Sequence, residues 1–168
     1  MSDGSYTTTF TVERPPHAVF TAINDVRGWW EETIAGRTHE VGDEFIHWVP
    51  GVHYARIRVA ELLPGKRVVW EVLDNWMSFI DDQREWKGTT IRFDLRPVDG
   101  GTELRFEHVG LVPSYECFEV CRDAWGVYVN DSLRNLIETG LGQPTVDPDE
   151  AVDIRFADLR LELAGAKG

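Results

Sequence analysis

The stretch from Gly36 to Val109 constrains the fold most, because its apolar residues alternate and turn signals break it at short intervals. Gly42-Asp43, Pro50-Gly51, Pro64-Gly65-Lys66 and Asp99-Gly100-Gly101 divide it into strands near 36–41, 43–49, 53–62, 67–74, 88–97 and 102–109. No interval leaves room for a helical crossover, so neighbouring strands must run antiparallel. Ser5 to Glu13, rich in Thr, Phe and Val, adds a first strand and brings the expected total to seven. Ile91, Phe93 and Leu95 face one way while Arg92, Asp94 and Arg96 face the other. Leu104, Phe106 and His108 continue the apolar face on the next strand. One face is thus covered and one is wet.

The cover follows in the chain. Pro113 to Gly140 contains no internal proline and carries Phe118, Cys121, Trp125, Val129, Leu133 and Leu136 at three- and four-residue steps. A helix of that length spans about 40 Å and can cross a whole sheet. Pro15-Pro16 ends the first strand and starts a short helix over 17–24, with a second short helix over 25–32 that holds the aromatic corner Gly28-Trp29-Trp30. The expected class is α+β, a helix-grip fold: a seven-stranded antiparallel sheet, two short helices and a long C-terminal helix. Residues 1–142 form this domain. Residues 143–168 read as a Pro- and Asp-rich linker and a tail whose apolar part, Val152 to Leu163, is open to reading as a strand or a helix.

The formal charge of -12 excludes nucleic acid as a partner, since phosphate binding needs a basic surface. It equally disfavours anionic membranes. No secretory leader or membrane-length apolar run is visible, and the two cysteines, Cys117 and Cys121, read as buried free thiols, so a reducing cytoplasm is the expected compartment. No metal-ligand spacing, nucleophile elbow, phosphate loop or dinucleotide fingerprint occurs, and no metal or cofactor is expected.

Seven Trp, eight Phe and four Tyr exceed what a small core requires. Two readings compete: a solidly filled core, or a ring-lined pocket. The pocket reading takes Trp48, Trp70, Trp76, Phe79, Trp86, Ile91, Phe93, Phe106, His108, Phe118, Trp125 and Tyr128 as the ligand-binding set, with Ile91, Phe93, Phe106 and Trp125 the surest inward positions. His108, Tyr128 and Arg122 are the polar groups that would select a guest. His108 has two readings, an acid–base group of a cavity enzyme or a histidine that pins the 109–113 loop. The segment Trp76 to Trp86 reads either as a lid or as a loop held by core contacts.

The order of elements and several junctions resemble the START-like superfamily, also called SRPBCC or birch-pollen-allergen-like. The matching stretches are Val12 to Phe20, Gly28-Trp29-Trp30, Gly42 to Phe45, Pro64 to Trp70, Glu85 to Thr89, Gly101 to Leu111 and Trp125 to Leu136. Within the superfamily the chain looks most like homologues of the C-terminal domain of the heat-shock-protein-90 ATPase activator. That resemblance implies a cavity between sheet and helix for a lipid, a polyketide or a similar apolar molecule. It also implies two alternatives: an adaptor with a chaperone partner, or a cavity enzyme such as a cyclase, dehydratase or hydrolase. The apolar tail, Val152 to Leu163, has two readings, folding back on its own sheet or contacting a neighbouring subunit in a homodimer.

Overall fold

The computed structural model describes residues 4–32, 34–49, 53–78, 80–81 and 83–144. Seven strands form one antiparallel sheet: β1 (Tyr6–Val12), β2 (Ala35–Gly36), β3 (Glu44–Val49), β4 (His53–Leu63), β5 (Arg67–Met77), β6 (Thr90–Val98) and β7 (Gly101–Val109). Their order is β1-β7-β6-β5-β4-β3-β2, a meander that β1 closes by pairing with the free edge of β7. Between β1 and β2 stand α1 (Pro16–Asn24) and α2 (Val26–Trp29). Pro16 opens α1 where a missing N–H costs nothing, and Val19 and Ile23 turn its apolar stripe inward.

After β7 the chain forms one long helix in three parts: α3 (Phe118–Trp125), a π-helical stretch (Gly126–Leu133) and α4 (Arg134–Thr139). Cys121, Trp125, Val129, Leu133 and Ile137 are all buried, each four residues after the last. A four-residue step overshoots an α-helical turn by about 40°, so four steps would carry the stripe about 160° round the rod. The wider π turns take up that drift and keep the five side chains over the sheet. Gly140 ends the rod in the left-handed conformation (φ 86°), and its N–H reaches the Leu136 carbonyl. The Arg14 guanidinium caps the same end, donating to the Ile137 and Glu138 carbonyls at 3.3 and 3.0 Å. Ser132, fully buried, donates to the Trp29 carbonyl and accepts from the Gln143 amide, each at 2.7 Å, which locks the helix to α2 and fixes the chain's exit.

Two irregularities break the β4–β5 register. One lies between Val59 and Glu61. The other faces the Arg56/Ile57 step, where Ile57 pairs with Val72 and Arg56 with Asp74, leaving Leu73 unpaired. Before that bulge Val68, Trp70 and Val72 point inward; after it Asn75 and Met77 do. Glu–Arg and Asp–Arg pairs cover much of the outer face, among them Arg58–Glu71, Arg67–Asp94 and Arg105–Glu107. Most of these pairs are half exposed and contribute little stability individually.

The helix starts at Phe118 rather than Pro113 because Val112, Tyr115 and their neighbours make turns first. Strand β5 runs to Met77, three residues further than the turn signals imply. The expected strand near 36–41 shrinks to two residues. Val152 to Leu163 lies outside the described residues.

Candidate functional site

Strand alternation gives the sheet's inner face two chemically different ends. At one end Phe45, Ile57, Val59, Val68, Trp70, Val72, Phe93, Leu95 and Leu104 are apolar and buried. At the other, His47 on β3, His53 on β4, Asn75 on β5 and His108 on β7 face inward. Over this polar end lie Trp30 from the turn after α2, Trp86 from the 78–89 loop and Trp125 from α3.

These rings form a closed circuit. Trp30 stacks on His47 at 4.6 Å between centroids, and His47 meets His53 at 5.0 Å. His53 meets Trp86 edge-on at 4.6 Å, Trp86 stacks on Trp125 at 5.7 Å, and Trp125 returns to Trp30 at 5.1 Å. Phe106 and His108 support Trp125 from the sheet.

Hydrogen bonding separates the three histidines. His108 is fully buried and both its nitrogens are engaged. Nδ1 accepts from the Trp125 indole N–H at 3.1 Å, which leaves the proton on Nε2 to donate to Thr89 Oγ1 at 2.8 Å. Thr89 in turn donates to the Trp86 carbonyl at 2.6 Å. Burial pushes the His108 pKa down to about 3, so the ring is neutral. It joins β7, the 78–89 loop and the long helix. Both ring nitrogens are thus occupied by protein partners, and the His108 backbone carbonyl accepts from the Leu111 amide at 3.1 Å, which ties the 109–113 turn to β7.

His53 and His47 are different. His53 Nε2 is sealed from solvent and has no hydrogen-bond partner. Burial, with His47 and His108 nearby, holds its pKa well below the ordinary histidine value. His47 Nδ1 also lacks a hydrogen bond; the closest acceptor, Glu31 Oε1, stands 3.5 Å away. Glu31 is buried and accepts from the Trp48 backbone amide at 3.2 Å. Asn75 Oδ1 is a third buried atom without a donor. An unmade hydrogen bond at a buried polar atom costs about 1–3 kcal/mol, so three within one patch require a reason.

The expected ligand-binding residues divide into four groups. Trp70, Trp86, Ile91, Phe93, Phe106, His108 and Trp125 converge on the interior. Phe118 and Tyr128 are half-buried at its margin, Tyr128 within 6.4 Å of Trp30. Trp48 and Trp76 do not belong with them. They stack on each other at 6.1 Å, with Tyr54 and Ile46, in a separate cluster on the sheet's outer face. Trp48 alternates with the inward His47, and the bulge at Leu73 turns Trp76 outward. Phe79 lies outside the described residues. Arg122 is exposed and pairs with Asp123, so it selects nothing inside.

Trp29, Trp30, Phe45, His47, His53, Glu31 and Asn75 were not among the expected residues. Alternation from Phe45 would have found His47. Asn75 is hidden by the bulge.

The 78–89 loop is held at several points. The Glu85 carboxylate accepts from the Glu116 and Cys117 amides at 2.8 and 3.1 Å, and the Asp81 amide donates to the Glu116 carboxylate at 3.2 Å. Of the two readings of this segment, the held loop is the one these bonds describe. Cys117, buried and sharing a hydrogen bond with Cys121, has its thiol pKa driven up, so it stays protonated. Among the described residues no three His, Cys, Asp or Glu side chains are placed to hold a metal ion, and no helix is long and apolar enough to cross a membrane. An open surface groove of about 350 Å³ between Arg14, Pro16 and Gly101 lies at the other end of β7 from His108.

The solution structure of the Aha1 dimer from Colwellia psychrerythraea superposes with a TM-score of 0.66 at 24% identity, covering 82% of this chain and 98% of that one. MLL2253 from Mesorhizobium loti gives 0.63 at 16% identity, over 79% of this chain and 95% of that one. DynU16, a protein of the dynemicin biosynthetic locus, gives 0.60 at 17% identity; the match covers 83% of this chain and 49% of DynU16. Identities this low establish the shared fold. No curated protein matches. The family model described as activator of Hsp90 ATPase homolog 1-like protein matches residues 14–138, and the chain belongs to that family, a branch of the START-like, SRPBCC fold.

Proposed function

We propose that the protein binds an apolar, ring-containing small molecule between the sheet and the long helix, at the polar end of the interior. The observation that carries this reading is the group of buried atoms without a hydrogen bond on His53, Asn75 and His47, the last 3.5 Å from Glu31, inside a wall of tryptophans. Buried polar atoms without a hydrogen bond are costly, and these three lie together on the inner ends of β3, β4 and β5. A guest that meets them recovers their desolvation cost, while ring burial supplies affinity at about 25 cal/mol per Å² before ordering costs. The π-helical stretch that follows Trp125 adds support, since such segments concentrate at functional positions. In this reading residues 1–142 form the binding domain and the protein works in the cytoplasm.

Native mass spectrometry of gently purified protein, followed by tryptophan fluorescence against sterols, polyketides and aromatic alcohols, tests the proposal. A co-purified mass or saturable quenching is expected. No adduct and no response across the panel would reject it.

The family match favours a second reading, a contact with a chaperone ATPase. Val120 and Val127 on the outer side of the long helix are exposed and suit a protein surface. An unchanged Hsp90 ATPase rate in the presence of the protein would remove it. In analytical ultracentrifugation, a single monomeric species would argue against a homodimer like that of the Colwellia protein.

A further inference from the structure

We infer that the guest carries a neutral hydroxyl on a planar ring, a phenol or enol rather than a carboxylate, and that His53 Nε2 is the atom that reads it. The inference rests on the binding proposal above and narrows it.

The unpaired polar atoms select the guest's functional group. His53 Nε2 and Asn75 Oδ1 lie on adjacent strands, in neighbouring inward rows, and both lack partners. Asn75 Oδ1 can only accept. A neutral imidazole nitrogen either accepts or donates. A hydroxyl does both, so it satisfies His53 in either tautomer. A ketone or an ether satisfies His53 in one tautomer only and leaves Asn75 unmet.

Charge selects in the same direction. The buried ionisable side chains around this end are histidines, the Glu31, Asp74 and Glu85 carboxylates and the Cys117 and Cys121 thiols, and no described Arg or Lys is buried. A carboxylate guest would lose its water without gaining a counter-charge and would face Glu31 through His47. Fatty acids and aromatic acids are therefore poor occupants, and neutral hydroxyl compounds are good ones.

The surroundings are flat. Trp30 lies on His47 and Trp86 against His53, each at 4.6 Å, and both tryptophans meet Trp125, at 5.1 and 5.7 Å, so a guest that enters this stack would displace a ring contact with one of its own. Planar rings gain from such partners beyond their buried area.

Equilibrium dialysis at pH 7.5 with three probes of one shape tests this: 2-naphthol, 2-methylnaphthalene and 2-naphthoate. The phenol is neutral at that pH and the acid ionised. The full-length protein should hold 2-naphthol about tenfold more tightly than the methyl compound, the worth of one recovered hydrogen bond. It should hold 2-naphthoate more weakly than either. His53→Phe keeps a ring and should erase the preference while still binding 2-methylnaphthalene; His53→Gln should retain part of it. Equal affinity for the first two probes, tightest binding of naphthoate, or a preference that survives in His53→Phe would each overturn the inference and leave the binding proposal standing. Binding of none of the three would overturn both. The wild-type comparison needs no variant, so a misfolded substitution does not spoil the test.

Discussion

Acid should unfold this protein partly through His108, and the size of the effect follows from its position. In the folded chain His108 stays unprotonated until about pH 3. In the unfolded chain a histidine takes a proton near pH 6.5. Between those values the unfolded state binds a proton that the folded state refuses. The stabilising contribution is thus complete above pH 6.5 and is lost as pH falls towards 3. Each pH unit in that window costs about 1.4 kcal/mol, so the step from pH 7 to pH 5 removes about 2 kcal/mol. His53, also held below its ordinary value, acts with the same sign. His108→Gln isolates one group, because Gln can accept from the Trp125 indole, donate to Thr89 and never titrate. Urea unfolding of both proteins at pH 7 and pH 5 is the assay. The variant is less stable at pH 7, but its loss on going to pH 5 should be about 2 kcal/mol smaller than that of wild type, close to 1 M in midpoint for a chain of this size. Equal losses in the two proteins would show that His108 titrates alike folded and unfolded, and the buried network would be wrong.

Glu85→Ala removes the acceptor of the Glu116 and Cys117 amides; it should cost about 2 kcal/mol and speed hydrogen exchange at those two amides, measured by NMR. Trp86→Leu should weaken 2-naphthol binding in dialysis, whereas Trp76→Leu on the outer face should leave it unchanged, and equal effects would contradict the assignment of faces. Cys117 and Cys121, 0% and 5% exposed, should resist iodoacetamide at pH 8 in buffer and react fully in urea, as followed by mass spectrometry.

The fold was legible because its signals are local. Glycine-marked turns and the alternation of Ile91, Phe93 and Leu95 locate strands without any knowledge of neighbours. The site was legible only where alternation stayed regular. Phe106, His108 and Ile91 were assigned correctly to the inner face because β6 and β7 pair without interruption. Trp76 was misplaced because one unpaired residue, Leu73, inverts the parity of the strand after it, and no sequence pattern announces it. His47 and His53 belong to no motif in the sequence, and they meet only diagonally across β3 and β4, His47 opposite Ala55 and His53 opposite Val49. The π-helical stretch left a trace that was overlooked: buried positions four apart, sustained through Ile137, fit neither an α-helix nor a heptad.

The unpaired Leu73 has a further consequence for how tolerant this chain is of insertions and deletions. Removing Leu73 itself would restore an unbroken ladder with Asp74 still opposite Arg56, Asn75 opposite Ala55 and Met77 opposite His53, so each side chain downstream would keep its face. Closing the bulge at unchanged length would do the opposite: Leu73 would pair with Arg56, the indole of position 76 would rotate into the molecule and the amide of Asn75 would rotate out to water. The strand thus tolerates the loss of one residue at this point, whereas a slip of one residue would exchange a polar inner position for an apolar one while leaving the outline the same.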